Sequence, residues 1–354
     1  MHIPIKGMKR KQIRSGSVLI LVLIVLTSMT ILSVGMAYRT RIEMKLAHAN
    51  AQRTLAYYLA LGGIERVKAL LSQEELSPLV IARINQFIGT AKGEGLFEQF
   101  KEYDLNKGNM LTYSLRDEQG YLNINKSDPS SWTNIDGIGE ECRASILDWI
   151  DEDDDTSPGG AETDYYERLE LPYISKDSPI IALKELLFLK GLTREVYLGE
   201  DLNRNSLLDE NERDGWSEVP FDNEDDRLDF GLVDIFTVYG EGKVNINTTP
   251  MTILSALPGL DDKMAEPILT YRAGSDGRLG TDDDMYFTSS EEIANVEGLS
   301  ELQIELLQQY CCFDSEYFRI FSSAGLRGTF KCCLMAIVKY EDSQFKTLYT
   351  ERLF

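Results

Sequence analysis

The hydrophobic pattern along the chain changes character several times, and each change predicts a different element. Residues 17–38 form a charge-free run of 22 positions dominated by Leu, Ile, Val and Met. At ~1.5 Å per residue a helix of that length spans roughly 33 Å, the depth of a hydrocarbon core. From 39 to 71 the pattern becomes amphipathic: no proline occurs, Ala, Arg, Lys and Glu are frequent, and Ile42, Leu46, Leu55, Leu59 and Val67 recur at helical spacing. One long helix is therefore expected, membrane-spanning first and amphipathic afterwards. Alternating or β-rich stretches at 110–115, 316–323, 329–340 and 344–353 read as strands, with Ala324, Gly325 and Gly328 in the turn between the second and third. An antiparallel sheet packed on the first helix follows.

The region 121–310 follows neither pattern. It contains short helical segments broken by glycine turns and acidic loops, and it repeats. Tyr121, Leu122, Asn123, Ile124 and Asn125 match Val244, Asn245, Ile246 and Asn247 at an offset of 122, taking Asn123 onto Asn245. The same offset brings Ile138-Gly139 onto Leu260-Asp261, Ile146-Leu147 onto Ile268-Leu269 and Asp164-Tyr165 onto Tyr286-Phe287. A further half-repeat follows each copy: Glu185 to Thr193 matches Glu292 to Ser300, with Gly191 and Gly298 at helix ends and Thr193 and Ser300 as caps. These passages read as helix-hairpin-helix (SAM-like) units. The expected fold is α+β, a pilin-like helix and sheet carrying a large, mainly helical insert.

Charge narrows what such an insert does. The chain carries -22, and Lys6, Lys9, Arg10, Lys11 and Arg14 place five positive charges in the first sixteen residues, leaving -27 for the rest. A body that acidic repels phosphate backbones, so nucleic acid is a poor partner and protein packing is the better use of the repeats. With 43% hydrophobic and 27% charged residues the chain is globular rather than disordered. Two histidines, His2 and His48, leave little for a zinc site or a Ser-His pair. The five cysteines, Cys142, Cys311, Cys312, Cys332 and Cys333, show no C-x-x-C spacing and are either buried thiols or disulfide partners. No phosphate loop, nucleophile elbow or H-E-x-x-H occurs, so neither an enzyme nor a small-molecule substrate is expected.

The basic leader is expected to stay cytoplasmic and to send the bulk across the inner membrane. A plain signal anchor would explain the apolar run alone. However, the leader ends at Arg14-Ser15-Gly16, directly before Ser17 and the apolar stretch. This resembles a class III (prepilin) signal, in which a prepilin peptidase cuts after the glycine and methylates the new N-terminus, here Ser17. The fifth mature position, a glutamate in most pilins, is Leu21. That absence, with the Asp117 to Asn125 run and the Leu147 to Asp151 passage, resembles the general secretion pathway K family, the tip minor pseudopilins of type II secretion. The resemblance implies I-like and J-like minor pseudopilins as partners, a single-pass inner-membrane anchor and a periplasmic bulk. It implies five segments: a leader 1–16, a transmembrane part 17–38, a helix and first pilin part 39–120, an insert 121–310, and C-terminal strands 311–354. A type IV pilus or competence minor pilin is the rival reading, which the acidic repeat opposes.

Three acidic loops have oxygen ligands at calcium spacing. Asp201, Asn203, Asn205, Leu207 (through its carbonyl), Asp209 and Glu212 fall at positions 1, 3, 5, 7, 9 and 12 of an EF-hand register, with Ser206 where glycine is preferred. Asp151, Asp153, Asp155 and Glu162 repeat the 1, 3, 5, 12 spacing, with Asp164 just beyond. Asp276, Asp282 and Asp284 form the third loop. Each is either a Ca2+ site or a solvated acidic turn. Calcium loops in the insert are also what the K-family resemblance implies.

Overall fold

The computed structural model describes residues 16–72, 101–104, 109–135, 138–199, 231–279, 281, 283–326, 330–342 and 344–353. The leader 1–15 and the EF-hand-like stretch 201–212 lie outside them. Helix α1 runs from Gly16 to Leu71. As far as Leu55 it forms a unit of its own, and from Ala56 it belongs with the remainder.

In the first unit the aliphatic side chains face outward, with Leu19 72% and Leu32 69% exposed. This is one helix long and apolar enough to cross a membrane. Two of its hydroxyls are satisfied within the helix: Thr27 Oγ1 donates to the carbonyl of Leu23 at 2.9 Å and Thr30 Oγ1 to that of Thr27 at 2.8 Å. The apolar set ends before Arg39 and Glu43, which pair at i,i+4.

In the second unit the end of α1 buries a stripe of Ala56, Ala60, Ile64, Val67 and Leu71. The spacing of four, four, three and four keeps all five on one face. The expected amphipathic stripe thus begins later than its sequence pattern, since Ile42, Leu46 and Leu55 are exposed. The stripe packs on an antiparallel sheet in the order β1-β2-β7-β8-β9: Lys101–Asp104, Asn109–Asp117, Tyr317–Leu326, Phe330–Glu341 and Gln344–Arg352. Tyr113, Leu115, Ile320, Leu334 and Ala336 supply the sheet side of the core. Strand β7 continues through Ala324 and Gly325, which were expected to turn. These small residues pair with Leu111 and Met110 on one side and Cys332 and Lys331 on the other.

Strands β2 and β7 are neighbours in the sheet, yet 199 residues, 118–316, separate them in the chain. Those residues build a second core around Trp132, Tyr166, Phe236, Ile253 and Phe287. The sequence repeat is also a structural one. Helices α2 (Glu140–Ile150) and α6 (Asp262–Arg272) have the same length and lie 122 residues apart. Between them lie α3 (Thr163–Tyr166), α4 (Arg194–Leu198) and α5 (Met251–Ala256). Two-residue parallel ladders open and close each copy: β3 (Leu122–Asn123) with β4 (Phe236–Thr237), and β5 (Val244–Asn245) with β6 (Cys311–Cys312).

In the second halves the offset is 107, from turn Leu183–Phe188 onto Ser290–Asn295 and from α4 onto α7 (Glu301–Tyr310). Gly191 and Gly298 both adopt positive φ, at 76° and 95°, and both next helices are capped, by Thr193 and Ser300. The first copy is therefore fifteen residues longer after α2, the difference of the two offsets. One correspondence is corrected by this: Phe287 matches Ile180 rather than Tyr165. The backbone N–H groups of Ile180 and Phe287 are held by the side-chain oxygens of Asn125 and Asn247, at 2.7 and 2.8 Å. No disulfide joins any of the five cysteines, and Cys311 and Cys332 lie inside the two cores.

Candidate functional site

Two polar centres stand out against the two apolar cores. The first joins them. Strand β2 ends in Arg116 and Asp117, and Glu118 follows at the start of a short turn. Each side chain binds a different piece of the chain. Arg116 Nη1 meets Asp234 Oδ1 at 3.2 Å, and the guanidinium lies 3.5 Å over the Tyr121 ring. Glu118, fully buried, pairs with Arg319 on β7 (Nη2 to Oε2, 3.0 Å) and accepts the Thr237 hydroxyl at 2.6 Å. Asp117 Oδ2 accepts Thr248 Oγ1 at 2.5 Å, Ser315 Oγ at 2.6 Å and Asn245 Nδ2 at 3.1 Å. Its Oδ1 takes the Gln119 N–H at 2.9 Å. Burial nevertheless outweighs these donors and pushes Asp117 up to about 6. Because breaking a buried pair strands a charge, each of these links is a stiff one.

The second centre is acidic. Helix α2 carries Asp148 on its last turn and stops at Asp151, where adjacent carboxylates and then Pro158 disfavour another turn. The chain returns through Gly159, at φ 90°, and Gly160, where a Cβ would run into the Asp148 carboxylate. Asp148 is fully buried and accepts the Ser157 N–H at 3.1 Å. Glu162 is 2% exposed. Burial first, and then the charges of Asp148 and Asp151, push it up to about 7. Burial and the neighbours Asp153, Asp148 and Asp177 also raise Asp151. Asp177 holds a positive φ of 49°.

Four buried oxygens here receive no hydrogen bond: Asp151 Oδ1, Asp177 Oδ1 and both oxygens of Glu162. The cations close by in sequence are engaged elsewhere. Arg168 pairs with Asp164 at 3.3 Å, Lys176 with Glu185 at 2.6 Å, and Lys190 donates to the carbonyls of Gly159 and Gly160. Carboxylates left without donors in a buried place fit a hard cation with oxygen ligands. They are neighbours rather than a finished shell: among the described residues no three acidic, His or Cys side chains gather tightly enough to hold a metal as they stand.

Of the residues singled out by spacing, the fold brings Asp151 and Glu162 together. It adds Asp148 and Asp177, which the spacing did not point to. Asp153 and Asp155 are exposed, and Asp153 Oδ1 caps the Asp155 N–H at 2.9 Å. Asp164 is exposed beside Arg168. In the third loop Asp276 Oδ1 accepts the Arg278 N–H at 2.8 Å, and Asp284 is 9% exposed. Asp201, Asn203, Asn205, Leu207, Asp209, Glu212 and Asp282 lie outside the described residues. Gly16 and Ser17 stand at the start of α1.

Residues 135–199, which include α2 and the acidic centre, match the family model for type II secretion system (T2SS), protein K. No curated protein matches the chain. Among solved structures, that of the GspK-GspI-GspJ complex from the enterotoxigenic Escherichia coli type 2 secretion system contains a similar chain. It is 14% identical, with a TM-score of 0.49, covering 89% of this chain and 99% of the other.

Proposed function

Through residues 135–199 this chain belongs to the protein K family of type II secretion, and on that premise we propose that it is the minor pseudopilin at the tip of the secretion pseudopilus. One observation carries the reading: the family match lies in the segment between adjacent strands β2 and β7, in a chain whose N-terminal helix is long and apolar enough to cross a membrane. The leader is cut after Gly16 by a prepilin peptidase and Ser17 is methylated. The apolar part of α1 anchors the chain in the inner membrane, with the bulk in the periplasm. I-like and J-like minor pseudopilins pack beside it. Leu21 leaves the chain without the buried carboxylate that would reach the N-terminal amine of a subunit ahead, so its place is first in the fibre, where it nucleates or caps assembly. The repeats are helix-hairpin-helix units used for protein packing, since their acidic surface repels nucleic acid.

Calcium braces the insert. Asp148, Asp151, Glu162 and Asp177 hold the ion, which supplies the positive charge that their buried oxygens lack. Residues 201–212 provide a second loop of calcium spacing. Binding only the folded form, the ion stabilises it by mass action.

The test is to delete the gene and restore it with the full chain. Loss of type II export on deletion, its return on restoration, and recovery of I-like and J-like pseudopilins with the solubilised chain are the expected results. Undiminished export in the deletion strain would sink the proposal.

A further inference from the structure

The two repeats share a backbone but turn different chemistry outward. One device matches their second halves residue for residue. Glu185 Oε1 accepts the N–H groups of Ile181 and Ala182 at 3.0 and 3.1 Å. Glu292, at the equivalent place, accepts the N–H of Thr288 at 2.6 Å. The inward positions that follow are alike: Leu186 and Leu189 are buried in the first repeat, Ile293 and Val296 in the second. The outward positions are not. Ile181, Leu187 and Phe188 are exposed in the first repeat, where the second exposes Thr288, Ala294 and Asn295. The second repeat thus shows that this backbone needs no apolar side chains on its outer face, and the first carries them nonetheless.

These side chains belong to one patch. The Tyr173 hydroxyl donates to the Phe188 carbonyl at 2.5 Å, the two rings lie 6.1 Å apart, and Lys176 pairs with Glu185 at 2.6 Å. Residues 171–176 therefore run beside 181–188 and add Leu171 and Ile174 to the exposed apolar set, with Leu171 82% and Ile181 74% exposed. Single surface hydrophobes need no explanation, whereas a gathered set marks a contact. The patch is also held in shape in advance, by the Glu185 bracket and by the short turn Leu183–Phe188, so little ordering is left for binding to impose.

Charge decides what fits it. The cations around the patch are engaged within the chain: Lys176 by Glu185, Lys184 by Glu351, Arg168 by Asp164, and Lys190 by the carbonyls of Gly159 and Gly160. Glu167 and Glu170, at its border, are exposed and meet no cation among the described residues. An acidic border on a chain of net charge -22 repels nucleic acid and anionic lipid headgroups and draws in a basic surface.

We propose that this patch of the first repeat is a docking surface for another protein, one that presents apolar side chains flanked by Lys or Arg. Ile181, Leu187 and Phe188 receive the apolar side chains, and Glu167 and Glu170 meet the flanking cations. The inference depends neither on calcium nor on a place at the end of a fibre.

Site-directed photo-crosslinking of the full chain in cells tests it. The photo-reactive residue p-benzoylphenylalanine replaces Ile181 in one chain and Thr288 in another, and each adduct is identified by mass spectrometry down to the cross-linked peptide. Position 181 should give an adduct with a different protein, at a segment where apolar residues adjoin Lys or Arg, and position 288 should not. With the probe at 181, Leu187→Ser with Phe188→Ser should cut the adduct yield by about tenfold, as loss of a central apolar anchor does. Glu167→Lys with Glu170→Lys should also lower it, whereas Asn295→Ser should leave it unchanged. Should the Leu187, Phe188 pair lower the Tm, Leu171→Ser, at a fully outward position, carries the same test. Equal adducts from both positions, or none from 181, overturn the proposal. So do adducts only with lipid, with another molecule of this chain or with another part of the same chain, and so does a partner segment without basic residues.

Discussion

Asp117 shows how a single buried side chain connects two cores at an electrostatic cost. Its oxygens take four donors, yet it is held up to about 6 from 3.8. A carboxyl whose folded pKa exceeds its unfolded one binds its proton more tightly when folded. Its stabilising contribution is therefore full below about pH 4 and is lost as pH rises towards 6. At ~1.4 kcal/mol per pKa unit this amounts to roughly 3 kcal/mol. In chelator, Asp117→Asn should remove that slope between pH 4 and 6 relative to the parent chain, measured as the change in unfolding free energy of the full chain with pH. An unchanged slope would mean that Asp117 is ordinary in the folded state. At this scale the sequence was half legible. Asp151 and Glu162 were visible because they sit at calcium spacing in one loop. Asp148 was hidden in a helical pattern, and Asp177 reaches the cluster only through a backbone bracket from Asn125 that no local window contains. The donors that Asp117 meets on Thr248 and Ser315 are more than 130 residues away and equally invisible.

Among the elements, the long helix and the strands followed from period and composition, because a charge-free run and an alternating one each allow few structures. What composition did not reveal is how closely helix and sheet approach. Gly62 and Gly63 are neighbours on α1 with opposite surroundings: a Cβ at Gly62 meets nothing within 4 Å, whereas one at Gly63 would strike Ser322 Oγ and press on Leu111 Cδ1. Glycine costs a helix interior about 1 kcal/mol relative to alanine. Gly62→Ala should therefore raise the unfolding free energy by about that amount. Gly63→Ala should lower it by about 1–3 kcal/mol as the sheet is pushed away. The same assay on both variants checks the sign, and equal signs would show that the close approach is unimportant. The short elements were the least legible. Strand β1 has four residues, too few for a pattern, and the repeat's turns settled as 3-10 because each spans only six residues between caps.

For the whole molecule, the proposed place at the end of a fibre turns on Leu21, which offers the sharpest test. It lies in the outward-facing apolar part of α1, 63% exposed, where a carboxylate without a partner is costly, by up to about 3 kcal/mol as the bilayer centre is approached. In a shaft subunit that cost is offset by the N-terminal amine of the subunit ahead. At the tip there is no such subunit. Leu21→Glu should then reduce incorporation into the minor pseudopilin complex and lower export, whereas Leu21→Ala, apolar but smaller, should change neither by much. Two measurements separate the causes: the amount of chain recovered in the membrane reports insertion, and the amount recovered with I-like and J-like partners reports assembly. A Leu21→Glu chain that inserts, assembles and supports export as the parent does would mean that the missing glutamate does not fix the position. The 199 residues between β2 and β7 would then be the remaining feature to test for fixing that position, through the bulk of the second core.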